Sequence, residues 1–423
     1  MLSSDGRCFP IGESIFPDAV SGDVNICYEE RGVEQTEGMK EIYLDNSATT
    51  RVFPEAAKLV EQAMLSDYGN PSSKHRKGLE AERLFRRARE QVAHTLRVKP
   101  REIIFTSGGT ESDNAALIGA ALAKRRQGKH IISSNVEHAA VYQTLSFLEE
   151  EGFEISLLPV DKKGHISLEE LRNALRRDTI LVSIMYVNNE IGALEPIGEI
   201  GRIIKEENPE TLFHTDAIQA YGKYEIRPKK ERIDLLSASG HKLHGPKGTG
   251  FLYIDEHVRI HPLILGGGQQ EGMRSGTHNV PGIAGLGLAS ELCYRDLPAR
   301  VQRLREMKDR LIDGLLALPG VRVYSEKGEG SAPQIVSASF EGVRAEVLLH
   351  ALEERGISVS SGSACSSNHP GISGTLRAIS VPEKLLDSTL RFSFGFYNEP
   401  EDVDAALAAL SELLPILRRF SRR

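Results

Sequence analysis

An apolar segment of the sequence runs into Ser239-Gly240-His241-Lys242, and a turn rich in glycine and proline follows it. Leu235 and Leu236 precede these residues and predict a short buried strand. A lysine directly after such a strand would lie at the mouth of a sheet, where it could form a Schiff base with a carbonyl group. Turn lysines beside Gly and Pro are also common on surfaces, so other residues must decide between these interpretations.

Polar residues also follow the ends of other apolar segments. Gly108-Gly109-Thr110 separates the predicted strand Ile103-Ile104-Phe105 from an alanine-rich helix, an arrangement whose backbone N–H groups can bind one phosphate. The glycine motifs of dinucleotide-binding proteins and of P-loop enzymes do not occur in the sequence. His138, Asn189 and Asp216 follow three further predicted strands. Because ligands bind at the carboxyl ends of parallel strands, we expect these residues to lie together.

These residue types match the requirements of pyridoxal phosphate (PLP). The cofactor needs a lysine for covalent attachment, an acid beside its pyridine nitrogen, a phosphate cradle and a cover for its ring. We assign Lys242 to the covalent bond and Asp216 to the ring nitrogen. The remaining assignments are the cradle and its flanking glycine (Gly109, Thr110, Ser239, Gly240 and His241), ring stacking and proton transfer (His138), the ring hydroxyl (Gln219), and the same ring edge or the substrate (Asn189).

Two further residues could act on a substrate. Cys365 lies among small residues that cannot pack a core, and we expect a mobile loop there. A nucleophile that must reach a bound substrate and then carry a product away requires such a loop. Arg391 is flanked by apolar strand residues, so it could bind a substrate carboxylate through two parallel hydrogen bonds. A solvent-facing arginine is the alternative for that position.

Strands alternate with helices along most of the chain. This order predicts an α/β fold with a large, mostly parallel sheet sandwiched by helices, followed by a smaller α+β domain at the C-terminus. We expect residues 1–38 to form a disordered extension and residues 39–54 to form a strand segment that joins the small domain. The large PLP-binding domain is predicted over residues 55–298, and the small domain with the mobile cysteine loop over residues 299–423.

Composition excludes several classes of protein. The chain has 423 residues, of which 40% are hydrophobic and 26% are charged, with a net charge of -7. This mild acidity argues against a direct nucleic-acid binder, and no apolar stretch of about 18 residues predicts a membrane span. The four cysteines form no Cys-x-x-Cys pair, so neither a disulfide framework nor an intrinsic metal site is expected. A reducing, cytoplasmic setting fits this cysteine usage.

The motifs occur in an order that resembles one family across nearly the whole chain after the first 38 residues. The chain is similar to NifS/IscS-type cysteine desulfurases, which are fold type I PLP enzymes of the class V aminotransferase group. The matching stretches are Tyr43-Leu44-Asp45-Asn46-Ser47-Ala48-Thr49-Thr50, Thr106-Ser107-Gly108-Gly109-Thr110-Glu111-Ser112-Asp113-Asn114, Val136-Glu137-His138, Val187-Asn188-Asn189-Glu190-Ile191-Gly192, His214-Thr215-Asp216-Ala217-Ile218-Gln219, Ser239-Gly240-His241-Lys242, Gly272-Met273-Arg274-Ser275-Gly276-Thr277 and Ser361-Gly362-Ser363-Ala364-Cys365.

The resemblance implies a specific reaction. L-Cysteine would be the substrate, with its carboxylate on Arg391, and its sulfur would pass to Cys365 as a persulfide while alanine is released. Thr277 would bind the cofactor phosphate of the partner subunit, which implies a homodimer. An iron–sulfur scaffold or a sulfur-carrier protein would accept the sulfur, for iron–sulfur cluster assembly or tRNA thiolation, and Cys365 would touch a cluster only transiently.

The sequence leaves several alternatives open. The residues after Cys365, beginning Ser366-Ser367-Asn368-His369, depart from the pattern of many family members, so the acceptor is not determined. A selenocysteine lyase or another class V aminotransferase would share most of these motifs. A transaminase would not need Cys365, and a catalytically idle scaffold would not need Lys242.

Overall fold

The computed structural model describes residues 40–361 and 373–420. The predicted extension over residues 1–38 and the predicted mobile segment around Cys365 lie outside the described residues. The chain separates into two units, Met1–Lys40 and Glu41–Arg423, and the second contains all the elements below.

A seven-stranded sheet forms the centre of the larger part of the fold. Its strand order is β2-β8-β7-β6-β5-β3-β4, and neighbouring strands are parallel except for β8, which is antiparallel to both of its neighbours. Most of its strands are buried along their whole length, as expected for a sheet covered by helices on both faces. The strands are β2 (Ile103–Thr106), β3 (His130–Ser134), β4 (Glu154–Leu158), β5 (Thr179–Ser183), β6 (Leu212–Asp216), β7 (Leu235–Ser239) and β8 (Gly250–Ile254).

Helices cover this sheet. Their apolar residues recur at helical spacing, so each helix has an apolar face that packs against the sheet or a neighbouring helix. In α2, for example, Ala81, Phe85, Ala88 and Val92 are buried on one face while charged residues occupy the other. These helices are α1 (Pro54–Leu65), α2 (Arg76–Leu96), α3 (Gly109–Lys124), α4 (Ala139–Glu150), α5 (Leu168–Ala174), α6 (Ile197–Glu207), α7 (Pro228–Glu231) and α8 (Val280–Tyr294). Three short 3₁₀ turns interrupt the loops, at Pro100–Glu102, Gly240–Lys242 and Gln270–Gly272.

A second, antiparallel sheet follows in the C-terminal part, with strand order β12-β13-β10-β9. It packs on its own apolar cluster, which contains Phe340, Phe392 and Leu410. Its elements are α9 (Leu297–Ala317), β9 (Val321–Val323), β10 (Ile335–Phe340), α10 (Ala345–Glu353), β12 (Ser360–Ser361), α11 (Gly374–Ala378), α12 (Glu383–Leu386), β13 (Thr389–Ser393) and α13 (Pro400–Phe420). The predicted fold class, a large mostly parallel sheet with a smaller α+β part, is confirmed.

The N-terminal strand β1 (Ile42–Tyr43) is paired far along the chain. It lies parallel to β11 (Ile357–Ser358), which directly precedes β12 of the second sheet. The residues that follow β1 then extend towards Lys242 and His241, as the hydrogen bonds below show. No helix in the described part of the chain is both long and apolar enough to cross a membrane.

Candidate functional site

A cavity of about 260 Å³ lies at the carboxyl ends of the parallel strands. Most of its lining comes from residues at the ends of β2, β3, β6 and β7 or in the segment after β5, and Ser47, Ala48 and Arg391 complete it. Ten of the residues predicted from the sequence line it: Gly109, Thr110, His138, Asn189, Asp216, Gln219, Ser239, His241, Lys242 and Arg391. Residues from distant parts of the sequence therefore converge on one concave site.

One end of the cavity suits an anion. Helix α3 begins at Gly109, and Gly108 at its N-cap has no side chain that could cap the first turn. The first backbone N–H groups and the positive end of the helix dipole are therefore left for a ligand. Ser239 lies beside this turn, since a Cβ placed on Gly108 would come 3.8 Å from its Oγ. That buried hydroxyl has no hydrogen-bond partner among the described residues, so a phosphate oxygen would satisfy it.

Asp216 provides a carboxylate at the end of β6. Its Oδ1 accepts a hydrogen bond from the backbone N–H of Ile218 at 2.9 Å. Burial raises the pKa of Asp216, while the interaction with His138, the hydrogen bond from Ile218 and the charge of Lys242 oppose that rise. A cationic ring nitrogen beside Asp216 would favour its ionised form further.

His138 both caps a helix and lines the cavity. It is the N-cap of α4, and its Nδ1 accepts a hydrogen bond from the N–H of Ala140 at 3.1 Å. This bond fixes the orientation of the ring and leaves Nε2 as the nitrogen that carries the proton in the neutral form. The same side chain therefore caps α4 and lines the site.

Lys242 ends the 3₁₀ turn that follows β7. Its Nζ donates hydrogen bonds to the carbonyl oxygens of Ser47 and Ala48, the second at 2.8 Å. The neighbouring His241 contacts Thr49 through Nδ1 and Oγ1, which lie 3.3 Å apart. Burial and then the charge of Lys242 lower the pKa of His241 to about 4, so its imidazole is neutral near pH 7 and retains one N–H for donation.

Arg391 points inward and is held in place. It is only 3% exposed, which rules out the solvent-facing alternative. Its Nη1 donates to the carbonyl oxygen of Asn189 and its Nη2 to Oδ1 of Asp45, both at 2.9 Å. Strand β13 provides this position, because Arg391 pairs with Ser337 on one side and Ser360 on the other. The guanidinium group is therefore oriented before any substrate binds.

Two predicted residues do not line the cavity, and a third cannot be placed. Gly240 is buried behind it, where a Cβ would lie 2.6 Å from Oγ1 of Thr249, so the site needs glycine for close packing. Thr277 is exposed on the loop before α8 and is not among the residues that line the cavity. Cys365 lies outside the described residues.

Sequence reasoning missed the N-terminal residues that complete the site. The Ser47 carbonyl accepts hydrogen bonds from both Lys242 and Gln219, the latter at 3.0 Å, and Asp45 orients Arg391. These residues were noted only within the motif Tyr43 to Thr50, without a role. The buried Arg391 was a signal, because an inward arginine needs a carboxylate partner, but its partner is 346 positions away.

Comparison with known proteins agrees with this site. The family described as aminotransferase class-V matches residues 42–406. The chain belongs to the class V aminotransferase family. Cysteine desulfurase IscS of Methanosarcina thermophila is 47% identical over 382 residues, which cover 90% of this chain and 94% of that protein.

Solved structures of similar proteins share the fold of this class V aminotransferase. A NifS-like protein has a TM-score of 0.84 and 39% identity, and the match covers 89% of this chain and 100% of that one. A second structure, described as SspA in complex with cysteine, has a TM-score of 0.74 and 34% identity, with 85% and 100% of the two chains covered. The resemblance to NifS/IscS-type proteins is therefore confirmed.

The residues of the cavity fit PLP, the cofactor of this family. The orphaned Ser239 hydroxyl and the uncapped start of α3 match a phosphate group. Asp216 lies where it could hold a protonated ring nitrogen, and the Lys242 amine lies on the same cavity. Among residues 40–361 and 373–420, no group of three His, Cys, Asp or Glu side chains is arranged to hold a metal ion.

Proposed function

We propose that this protein is a PLP-dependent cysteine desulfurase. It takes sulfur from L-cysteine, releases L-alanine and retains the sulfur as a persulfide on Cys365. The observation that carries the proposal is the single cavity on which Lys242, Asp216 and the inward Arg391 meet, because it combines a PLP site with a carboxylate site. The 47% identity to an IscS desulfurase and the cysteine bound by SspA support cysteine as the amino acid.

Each residue of the site has a proposed role in holding the reactants. Gly109, Thr110, Ser239 and His241 bind the phosphate, with Gly240 packed behind them, and Asp216 holds the ring nitrogen. His138 covers the ring and carries a proton on Nε2, and Asn189 and Gln219 contact the ring edge or the substrate. Lys242 would hold PLP before the substrate arrives, and the bound cofactor would supply an electron sink for the carbon atoms of the substrate.

The sulfur transfer itself is proposed for Cys365. Its thiolate attacks the sulfur of the bound substrate, a sulfur–sulfur bond forms, and the carbon–sulfur bond of cysteine breaks. The carbon that loses sulfur takes up a proton and becomes the methyl group of alanine. Arg391 keeps the substrate carboxylate fixed during this exchange, since two parallel hydrogen bonds restrict its rotation.

The proposal includes a homodimer in a reducing, cytoplasmic setting. Thr277 would bind the phosphate in the partner subunit, and its exposure outside its own cavity supports that placement. The nearby Leu265 is 71% exposed, as expected of a residue that a second subunit covers. The persulfide would pass to an iron–sulfur scaffold or a sulfur-carrier protein, for cluster assembly or tRNA thiolation.

A pair of cysteine variants tests this function. Cys365→Ala should retain the visible absorbance of bound PLP but lose sulfide release from L-cysteine in the presence of a thiol reductant. Cys293→Ala is the matched control, because Cys293 is buried and bonds the carbonyl oxygen of Leu243 at 3.2 Å, outside the cavity. Unchanged sulfide release by Cys365→Ala would refute the persulfide. Selenide release from L-selenocysteine without sulfide release from L-cysteine would favour the selenocysteine lyase.

A further inference from the structure

A second buried carboxyl group lies beneath the site. Asp113 is on α3, four residues after Gly109, and it is fully buried. The same face of α3 packs on the sheet, since Ala116 and Leu117 belong to one apolar cluster with Leu212 of β6 and Leu235 of β7. Asp113 therefore faces the ends of the two strands that carry Asp216 and Ser239.

A buried polar network surrounds Asp113. His214 of β6 bonds Ser183 through Nδ1 at 2.9 Å and Ser237 through Nε2 at 3.0 Å. Its Nε2 lies 3.7 Å from Oδ1 of Asp113, too far for a hydrogen bond of good strength. Burial lowers the pKa of His214 to about 3, so the imidazole is neutral and gives Asp113 no positive partner.

The two carboxyl groups have unequal surroundings. Asp216 receives a hydrogen bond from Ile218 and lies near the imidazole of His138 and the ammonium group of Lys242. Neither oxygen of Asp113 has a hydrogen bond of normal geometry within the described parts of the chain. Burial and then the charge of Asp216 raise the pKa of Asp113 well above its ordinary value; Ser237 opposes that rise, and Glu137 adds to it.

We propose that Asp113 is a positioning residue that stays a neutral carboxylic acid, so that the one negative charge of the buried pair resides on Asp216. The two buried carboxyl groups repel each other when both are ionised, so the one whose oxygens lack a hydrogen bond of normal geometry keeps the proton. Glu137, the other acid that faces Asp113, is itself protonated near pH 7, because burial raises its pKa to about 8. With Asp113 and Glu137 both protonated, Asp216 is the anion that contacts the ring nitrogen.

This inference rests on the proposed PLP site, but it can be tested apart from sulfur transfer. Infrared spectra of wild-type protein with ¹³C-labelled aspartate carboxyls should contain the carbonyl band of a protonated acid near pH 7. The label excludes the buried Glu137. Burial also raises the pKa of Asp234, so the band is assigned to Asp113 only if it disappears in Asp113→Asn. Absence of the band in folded wild-type protein would overturn the inference, whatever the enzyme does with cysteine.

Two substitutions separate a neutral from a charged role. Asp113→Asn keeps a neutral polar group of the same shape, so it should retain PLP as wild type does, with the pH titration of the visible absorbance unchanged and the labelled band lost. Asp113→Ala removes the polar group, and PLP should dissociate about tenfold faster. A titration shift of about one unit or more in Asp113→Asn would show that Asp113 is charged and would refute the proposal. Wild-type PLP retention by Asp113→Ala would also refute it.

Discussion

Replacing Arg391 with lysine should weaken the binding of L-cysteine without displacing the cofactor. Lysine keeps the positive charge, but its single ammonium cannot form two parallel hydrogen bonds with a carboxylate. Loss of one charge-assisted hydrogen bond costs about 1.5–3 kcal/mol, which corresponds to a fall of about 10- to 150-fold in kcat/KM. Arg391 is only 3% exposed, so water cannot easily replace the lost bond.

The assay measures sulfide release over a range of L-cysteine concentrations, together with the visible absorbance of PLP. Arg322→Lys is the matched control, because Arg322 lies on β9 of the same sheet but is exposed, and its kinetics should not change. Asp45→Asn should weaken cysteine binding less than Arg391→Lys, since it removes only the carboxylate that orients the guanidinium. Wild-type KM in Arg391→Lys, with PLP bound, would show that the substrate carboxylate binds elsewhere.

Further substitutions test the phosphate cradle, the buried acid Glu137 and the close packing at Gly250. Ser239→Ala removes the orphaned hydroxyl, so PLP should be lost at least about tenfold faster on dialysis, and an unchanged rate would contradict the phosphate cradle. Burial raises the pKa of Glu137 from 4.5 to about 8. The folded protein therefore binds a proton at Glu137 more tightly than the unfolded chain does, which stabilises the fold at low pH. This stabilisation is lost as the pH rises from 4.5 to 8. Urea unfolding of the apoprotein should therefore show a smaller loss of stability from pH 5 to pH 8 in Glu137→Gln than in wild type; equal losses would show that Glu137 is ionised in the fold. In Gly250→Ala the new Cβ would lie 2.7 Å from Cα of Gly108, so the variant should lose about 1–3 kcal/mol of stability and bind PLP more weakly. Gly330→Ala, with no described atom within 4 Å of the new Cβ, should unfold at the wild-type urea concentration, and equal midpoints for both variants would refute the predicted clash.

The rim of the cavity could be predicted from the sequence because local pattern and topology agree there. Each of Thr110, His138, Asp216 and Lys242 follows an apolar strand, and parallel strands bring such residues to one edge. The segment before Asn189 was less predictable. Its apolar run predicts one strand from residue 179 to 187, but β5 ends at Ser183, and the backbone N–H of Tyr186 instead bonds the carbonyl oxygen of Asp216.

Long-range pairs could not be predicted, because no local pattern encodes them. The Asp45–Arg391 ion pair joins residues 346 positions apart, and nothing in either strand specifies the partner. Asp113 is a second example, since a polar residue in the first turns of a helix is ordinarily solvated or acts near the N-terminus. The proposed role of Asp113 depends on the neighbouring Asp216 and His214, which only the fold brings to the same buried face.

In the proposed reaction the sulfur of cysteine is transferred to Cys365, and peptide mass spectrometry after a single turnover tests this transfer directly. Holoenzyme is mixed with a limiting amount of L-cysteine without reductant, then digested, and alanine is quantified in parallel. We expect a mass increase of one sulfur atom on the peptide that contains Cys365, with alanine formed in equal amount. Alanine formed with an unmodified Cys365 peptide would contradict it.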